Sequence, residues 1–187
     1  METKELIRKT AVQLIARNGL SRTTTPMIAE AAQISVGTIY NYFKNKEEIL
    51  DYIFYCEYIK REAFVSDLEK TDATIIEKIQ RLIEFHYSTI RDYPDVAKVI
   101  MQEGMLPSNQ KLKYVHKLQT YLVEKYIEMI KKAKERGEIS NIDPELFGLA
   151  ALNAVRGVAY TIQTKMDISD YNKALDELKR YIVHALQ

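Results

Sequence analysis

Apolar residues recur at three- and four-residue intervals along most of the chain, and the breakers between these runs mark helix ends. Ile7, Ala11, Leu14 and Ile15 share one face of a helix predicted over residues 4–18, and Gly19 stands where a left-handed C-cap belongs. In the following Ser-Arg-Thr-Thr-Thr-Pro, Thr25 is the expected N-cap and Pro26 the first residue of a short helix reaching residue 32. That helix turns Ile28, Ala29 and Ala32 inward. After a turn at Gln33 and Ile34, Ser35 is the expected N-cap of a third helix to residue 43, which buries Ile39 and Phe43. Asn45 opens a fourth helix in the pattern Asn-Lys-Glu-Glu, with Glu48 placed as in a capping box, and the periodicity continues to residue 69. Further helices are predicted over 73–91, 95–103, 108–137 with Ser108 as cap, 144–165 with Asp143 as cap, and from Ser169–Asp170 to the end. The pattern is that of an all-α protein of nine helices.

Composition supports a packed helical chain. Only 6 Gly and 4 Pro interrupt 187 residues that are 47% hydrophobic and 28% charged, so breakers are scarce and a core is available. No run approaches the roughly 20 apolar residues of a membrane span, so no membrane partner is expected. With the single Cys56 no intramolecular disulfide forms, and a cytoplasmic location is expected. The overall charge of +1 is uninformative, but its distribution is not. Residues 1–46 hold seven Lys/Arg and three Glu, giving +4; the rest hold 27−7 basic and 26−3 acidic residues, giving −3. A basic head on a mildly acidic body suits DNA.

Enzyme chemistry finds little support. The three histidines, His86, His116 and His184, are far apart, none forms an i, i+4 metal pair, and there is no glycine-rich phosphate loop. Cys56 sits in an aromatic helical stretch, where a buried inert thiol is the default. No catalytic residue, metal or cofactor is expected.

The informative stretch is Thr23-Thr-Thr-Pro-Met-Ile-Ala-Glu-Ala-Ala-Gln-Ile-Ser-Val-Gly-Thr-Ile-Tyr-Asn-Tyr-Phe-Lys-Asn-Lys46. Two short helices with a tight turn, the second opening in small and polar residues, read as a helix-turn-helix. Its core leaves Thr24, Thr25, Val36, Gly37, Thr38, Tyr40, Asn41, Tyr42 and Lys46 as the expected outward set. Hydroxyls, an amide and an ammonium beside two helix N-termini suit phosphate oxygens and base edges. The run Gly37-Thr-Ile-Tyr-Asn-Tyr-Phe-Lys-Asn-Lys-Glu-Glu-Ile-Leu50, with the preceding Thr-Thr-x-x-Ile-Ala-Glu-Ala-Ala, resembles the signature of the tetracycline-repressor (TetR) family over the first 60 residues. The resemblance implies phosphate contacts from Thr25, Thr38, Tyr40, Tyr42 and Lys46, and base-edge positions for Val36, Gly37 and Asn41. Two residues depart from the family pattern. Gln33 replaces the usual Gly, so a left-handed turn there costs about 1–2 kcal/mol. Val36 replaces a common polar residue and suits a thymine methyl.

The same resemblance implies a DNA-binding domain over 1–46 and a ligand-binding and dimerisation domain over 47–187. Its expected partners are a near-palindromic double-stranded operator, a second copy of the chain, and a small apolar or aromatic effector. Phe85, Tyr87, Met101, Met105, Tyr121 and Tyr160 are the expected ligand contacts, chosen because their helices surround the pocket in relatives. Gly148, Ala151, Ala154 and Gly157, with Leu175, Leu178 and Ile182, are the expected dimer face. Small residues let helix backbones approach, and the second set forms an apolar stripe on the last helix. A plain helical interaction module is the competing reading.

Overall fold

The computed structural model describes residues 2–165 and 168–186. They form nine α-helices: α1 (Glu2–Asn18), α2 (Thr25–Ala31), α3 (Val36–Tyr40), α4 (Lys46–Glu69), α5 (Ile75–Asp92), α6 (Pro94–Gly104), α7 (Lys113–Glu135), α8 (Pro144–Lys165) and α9 (Ile168–Leu186). A single 3-10 turn at Pro107–Asn109 precedes α7. Among the described residues there is no strand.

Packing divides the chain into two compact units. The first joins the chain up to Arg61 with Tyr93–Gln119, and the second joins Glu62–Asp92 with the chain from Thr120 onward. Helices α4 and α7 therefore each contribute to both units, and the packing division differs from the functional boundary expected after residue 46. In the first unit Ile7, Ala11, Ile15, Ile28, Ile39, Phe43, Leu50, Phe54 and Val99 are buried. In the second, Ile75, Ile79, Leu82, Ile83, Ile130, Leu152 and Val155 are. Leu14, expected inside, is half-buried, while Val12 and Ala16 of the same helix are covered.

Local chemistry sets the helix ends. Gly19 takes φ 76, and its N–H returns to the Ile15 carbonyl at 2.8 Å, closing α1 as a left-handed residue does. Asn45 Oδ1 accepts the Glu48 N–H at 2.8 Å while the Glu48 carboxylate accepts the Lys44 N–H at 2.6 Å, a reciprocal cap on α4. Asp143 accepts the N–H groups of Glu145 and Leu146, with Pro144 at the first turn of α8.

Four expected ends differ. The α2 cap is Thr24, whose Oγ1 accepts the Met27 N–H at 3.3 Å, and Thr25 is the first helical residue and buried. Regular α3 stops at Tyr40, although the Phe43 N–H still reaches the Ile39 carbonyl at 3.0 Å and carries Phe43 into the core. α5 starts at Ile75 because Thr74 and Glu77 form a capping box of their own. Ser108 caps nothing: Pro107–Asn109 coils tightly, Asn109 turns inward, and α7 begins at Lys113, where Asp51 Oδ1 accepts the Tyr114 and Val115 N–H groups. α9 begins at Ile168, and the side chains of Ser169 and Asp170, the expected cap, lie outside those described.

Candidate DNA interface and effector unit

Ile28 and Ala29 of α2, Ala32 of the turn, Ile39 of α3 and Phe43 just beyond it are all buried, so the two short helices share one core. The turn between them is held by the Ile34 N–H donating to the Ala29 carbonyl at 3.0 Å, with Gln33 at φ 55. It is the one described residue other than glycine with positive φ, in agreement with the left-handed turn expected there. Ser35 Oγ accepts the Thr38 N–H at 3.0 Å and lies 2.8 Å from Thr38 Oγ1, capping α3.

This packing leaves Thr24, Gly37, Tyr40, Asn41 and Tyr42 exposed and Val36 and Thr38 half-exposed, so seven of the nine expected DNA contacts lie on the open side of the motif. Tyr40 is 56% and Tyr42 40% exposed, an unusual position for large aromatic rings and one suited to a partner surface. The other two are placed differently. Thr25 is 8% exposed. Lys46 is half-buried and donates its Nζ to the carbonyls of Leu20 (2.8 Å) and Ser21 (3.1 Å), where it neutralises oxygens just past the end of α1. Exposed Arg22 and Lys44 supply cations on the same unit.

Sequence reasoning missed the brace beneath the motif. Glu103 of α6 is 5% exposed; its Oε1 accepts the Leu20 N–H at 2.9 Å and its Oε2 accepts an Asn109 Nδ2 hydrogen at 3.0 Å. Thr23, fully buried, donates its hydroxyl to the Gly19 carbonyl at 2.8 Å. The Thr-Thr-Thr run could have signalled Thr23, but nothing local signals a carboxylate 83 residues away.

With this geometry in place, comparison with known proteins is decisive. The pattern describing "Bacterial regulatory proteins, tetR family" matches residues 7–53, and that of the "Tetracyclin repressor-like, C-terminal domain" matches residues 72–160. The chain belongs to the TetR family. Members are DNA-binding transcriptional regulators rather than enzymes. The chain is 36% identical over 106 residues to the fatty acid metabolism regulator protein of Bacillus subtilis, covering 55% of this chain and about half (53%) of that one. Over 187 residues it is 25% identical to the HTH-type transcriptional regulator QacR of Staphylococcus aureus, covering 100% of this chain and 99% of that one. The crystal structure of FadR from Bacillus subtilis in complex with stearoyl-CoA is similar with a TM-score of 0.76 and 26% identity, covering 93% of this chain and 96% of that one.

In this TetR-family chain the six expected ligand contacts divide between the two units. Met101 and Met105 belong to the first unit, and Phe85, Tyr87, Tyr121 and Tyr160 to the second. Tyr87 is fully buried and Phe85 stacks on Phe64 with ring centroids 4.1 Å apart, whereas Met105 and Tyr160 are more than half exposed. An open groove of about 560 Å³ in the second unit is lined by Gln80, Asp176, Lys179, Arg180, Tyr181, Val183 and His184, and by none of the six.

The expected dimer residues fall into a buried and an exposed group. Gly148, Ala151, Leu175, Leu178 and Ile182 are buried within the protomer. A Cβ on Gly148 would stand 2.9 Å from Ile127 Cγ1, so its smallness serves the packing of α8 on α7. Ala154 and Gly157 are exposed, and with Leu146, Leu149 and Tyr160 they form an apolar outer face of α8. The apolar stripe of α9 is spent on the core of its own unit. Among the described residues no helix is long and apolar enough to cross a membrane, and no group of three potential metal ligands occurs.

Proposed function

We propose that this TetR-family protein is a cytoplasmic repressor that binds a near-palindromic operator as a homodimer and leaves it when a long-chain acyl-CoA or a related acyl ligand binds. The observation that carries the DNA-binding half is the surface of α3 and its C-terminal turn: Val36, Gly37, Thr38, Tyr40, Asn41 and Tyr42 stay outside a core that holds both short helices. Two such helices, one per protomer, fit successive major grooves about 34–36 Å apart. The effector half is supported by the likeness to the fatty acid metabolism regulator and to the stearoyl-CoA complex.

In this reading Tyr40, Tyr42 and Thr38 hold phosphates, Thr24 presents the N-terminus of α2, and Val36, Gly37 and Asn41 face base edges. Thr25 and Lys46 act one step back, Thr25 in the core and Lys46 by fixing the loop that leads into α2. Fluorescence anisotropy with the DNA upstream of the gene, repeated over a salt series, tests it. Tyr42→Ala is expected to weaken all sequences alike, because a phosphate contact carries no sequence information. Val36→Ala is expected to leave the slope intact and relax preference at one base pair by up to about 1–3 kcal/mol. A Val36→Ala protein with intact binding and unaltered sequence preference contradicts the base-reading role.

A further inference from the structure

The second unit holds polar groups that an apolar interior ordinarily pairs or excludes. Tyr126 on α7 is 1% exposed, and among the described residues its hydroxyl has no hydrogen-bond partner. The imidazole of His86 on α5 lies nearly parallel to the Tyr126 ring, at 21° with centroids 6.3 Å apart. Arg156 on α8 is half-buried, and among the described residues it forms no ion pair. Its guanidinium is within electrostatic reach of the Tyr126 hydroxyl. One turn away on the same two helices, Leu122, Ile130 and Leu152 are buried, so the surroundings are hydrocarbon.

The two groups have complementary needs. Burial holds the Arg156 guanidinium below its ordinary range, and it pushes the Tyr126 phenol above its own, so Tyr126 stays protonated as a donor. A desolvated cation and an unpaired buried donor are both satisfied by a single anionic oxygen. Resting on the effector-released reading above, we propose that Tyr126 and Arg156 receive the anionic head of an acyl amphiphile whose chain lies among the neighbouring apolar side chains. That oxygen belongs either to the carboxylate of a free long-chain acid or to a phosphate of its CoA thioester.

Calorimetric titration of the full-length protein with palmitate, palmitoyl-CoA and hexadecanol separates these sources and tests the site. Wild-type protein is expected to bind at least one of the two anions about tenfold or more tightly than the alcohol. Arg156→Gln is expected to remove that margin and leave hexadecanol binding unchanged, while Arg156→Lys, which keeps the charge, retains most of it. Tyr126→Phe narrows the margin by a smaller factor. Arg156-dependent palmitate binding identifies a carboxylate; dependence confined to palmitoyl-CoA identifies a phosphate. Equal affinity for alcohol and anions, a margin that survives in Arg156→Gln, or no binding of either anion overturns the proposal. Operator binding is measured on the same samples. Release by palmitoyl-CoA that is identical in wild type and Arg156→Gln leaves the repressor reading standing and sinks this site; Arg156-dependent binding without release does the reverse.

Discussion

Gln33 occupies the left-handed turn between α2 and α3 at φ 55, a conformation that a side chain with a Cβ enters at a cost of about 1–2 kcal/mol. Glycine relieves that strain but adds freedom to the unfolded chain, worth about 0.4–1 kcal/mol in the opposite direction. Gln33→Gly is therefore expected to raise stability by up to about 1.6 kcal/mol, read as a higher urea midpoint at unchanged slope, with operator affinity retained. A lower midpoint would show that the Gln33 side chain contributes more than its backbone costs. This position was legible in the sequence because the surrounding motif fixes where the turn must fall. Its neighbours were less so. Thr24 and Thr25 are chemically equivalent candidates for the cap, and only the packing of Ile28 and Ala29 decides which hydroxyl points to the helix N-terminus and which is buried.

At the scale of elements, helix ends with a local cause could be read directly: Gly19, Asn45 with Glu48, and Asp143 with Pro144 each act within a few residues. Ends with a distant cause could not. α7 starts where Asp51 of α4 accepts two of its N–H groups, and the carbonyl end of α1 is braced by Glu103 and Lys46, which are remote in sequence. Within α4 a buried pair adds a stability determinant that periodicity does not reveal. Glu57 and Arg61 are 1% and 6% exposed, with a 2.6 Å contact between Glu57 Oε2 and Arg61 Nη1. Burial opposes the charge on Glu57, but Arg61 and Lys60 outweigh it and hold its carboxyl below the usual carboxylate value of 4.5. Because the folded pKa is the lower one, this contribution is present above the unfolded value and is lost as pH falls through the folded one. Glu57→Gln leaves Arg61 buried without its counter-charge and is expected to cost about 3–5 kcal/mol at pH 7. Urea unfolding at pH 7 and pH 3 checks it: the variant's deficit shrinks at the lower pH, and an equal deficit at both would contradict the ion-pair origin.

For the whole molecule, the sequence conveyed the nine-helix order and the helix-turn-helix, because both rest on local periodicity and one dense motif. The dimer stripe was less legible, because an apolar face looks the same whether it covers its own core or a partner. Burial separates the two cases on α8. Ala151 faces inward at 4% exposure, whereas Ala154 is exposed on the apolar outer face. Ala154→Arg is thus expected to give a folded monomer with weakened operator binding, and Ala151→Arg a protein that fails to fold stably, as sedimentation velocity and circular dichroism will distinguish. A dimeric Ala154→Arg protein would place the interface elsewhere. In the proposed switch an acyl effector and the operator oppose each other, which requires the effector to bind the two global states with different affinity. The most direct measurement is a fluorescence anisotropy titration of labelled operator with the purified protein, with and without saturating stearoyl-CoA. Operator affinity is expected to weaken about 5–150-fold, matched by an equal loss of stearoyl-CoA affinity when operator is present. Operator affinity that is unchanged or tighter at saturation contradicts the switch.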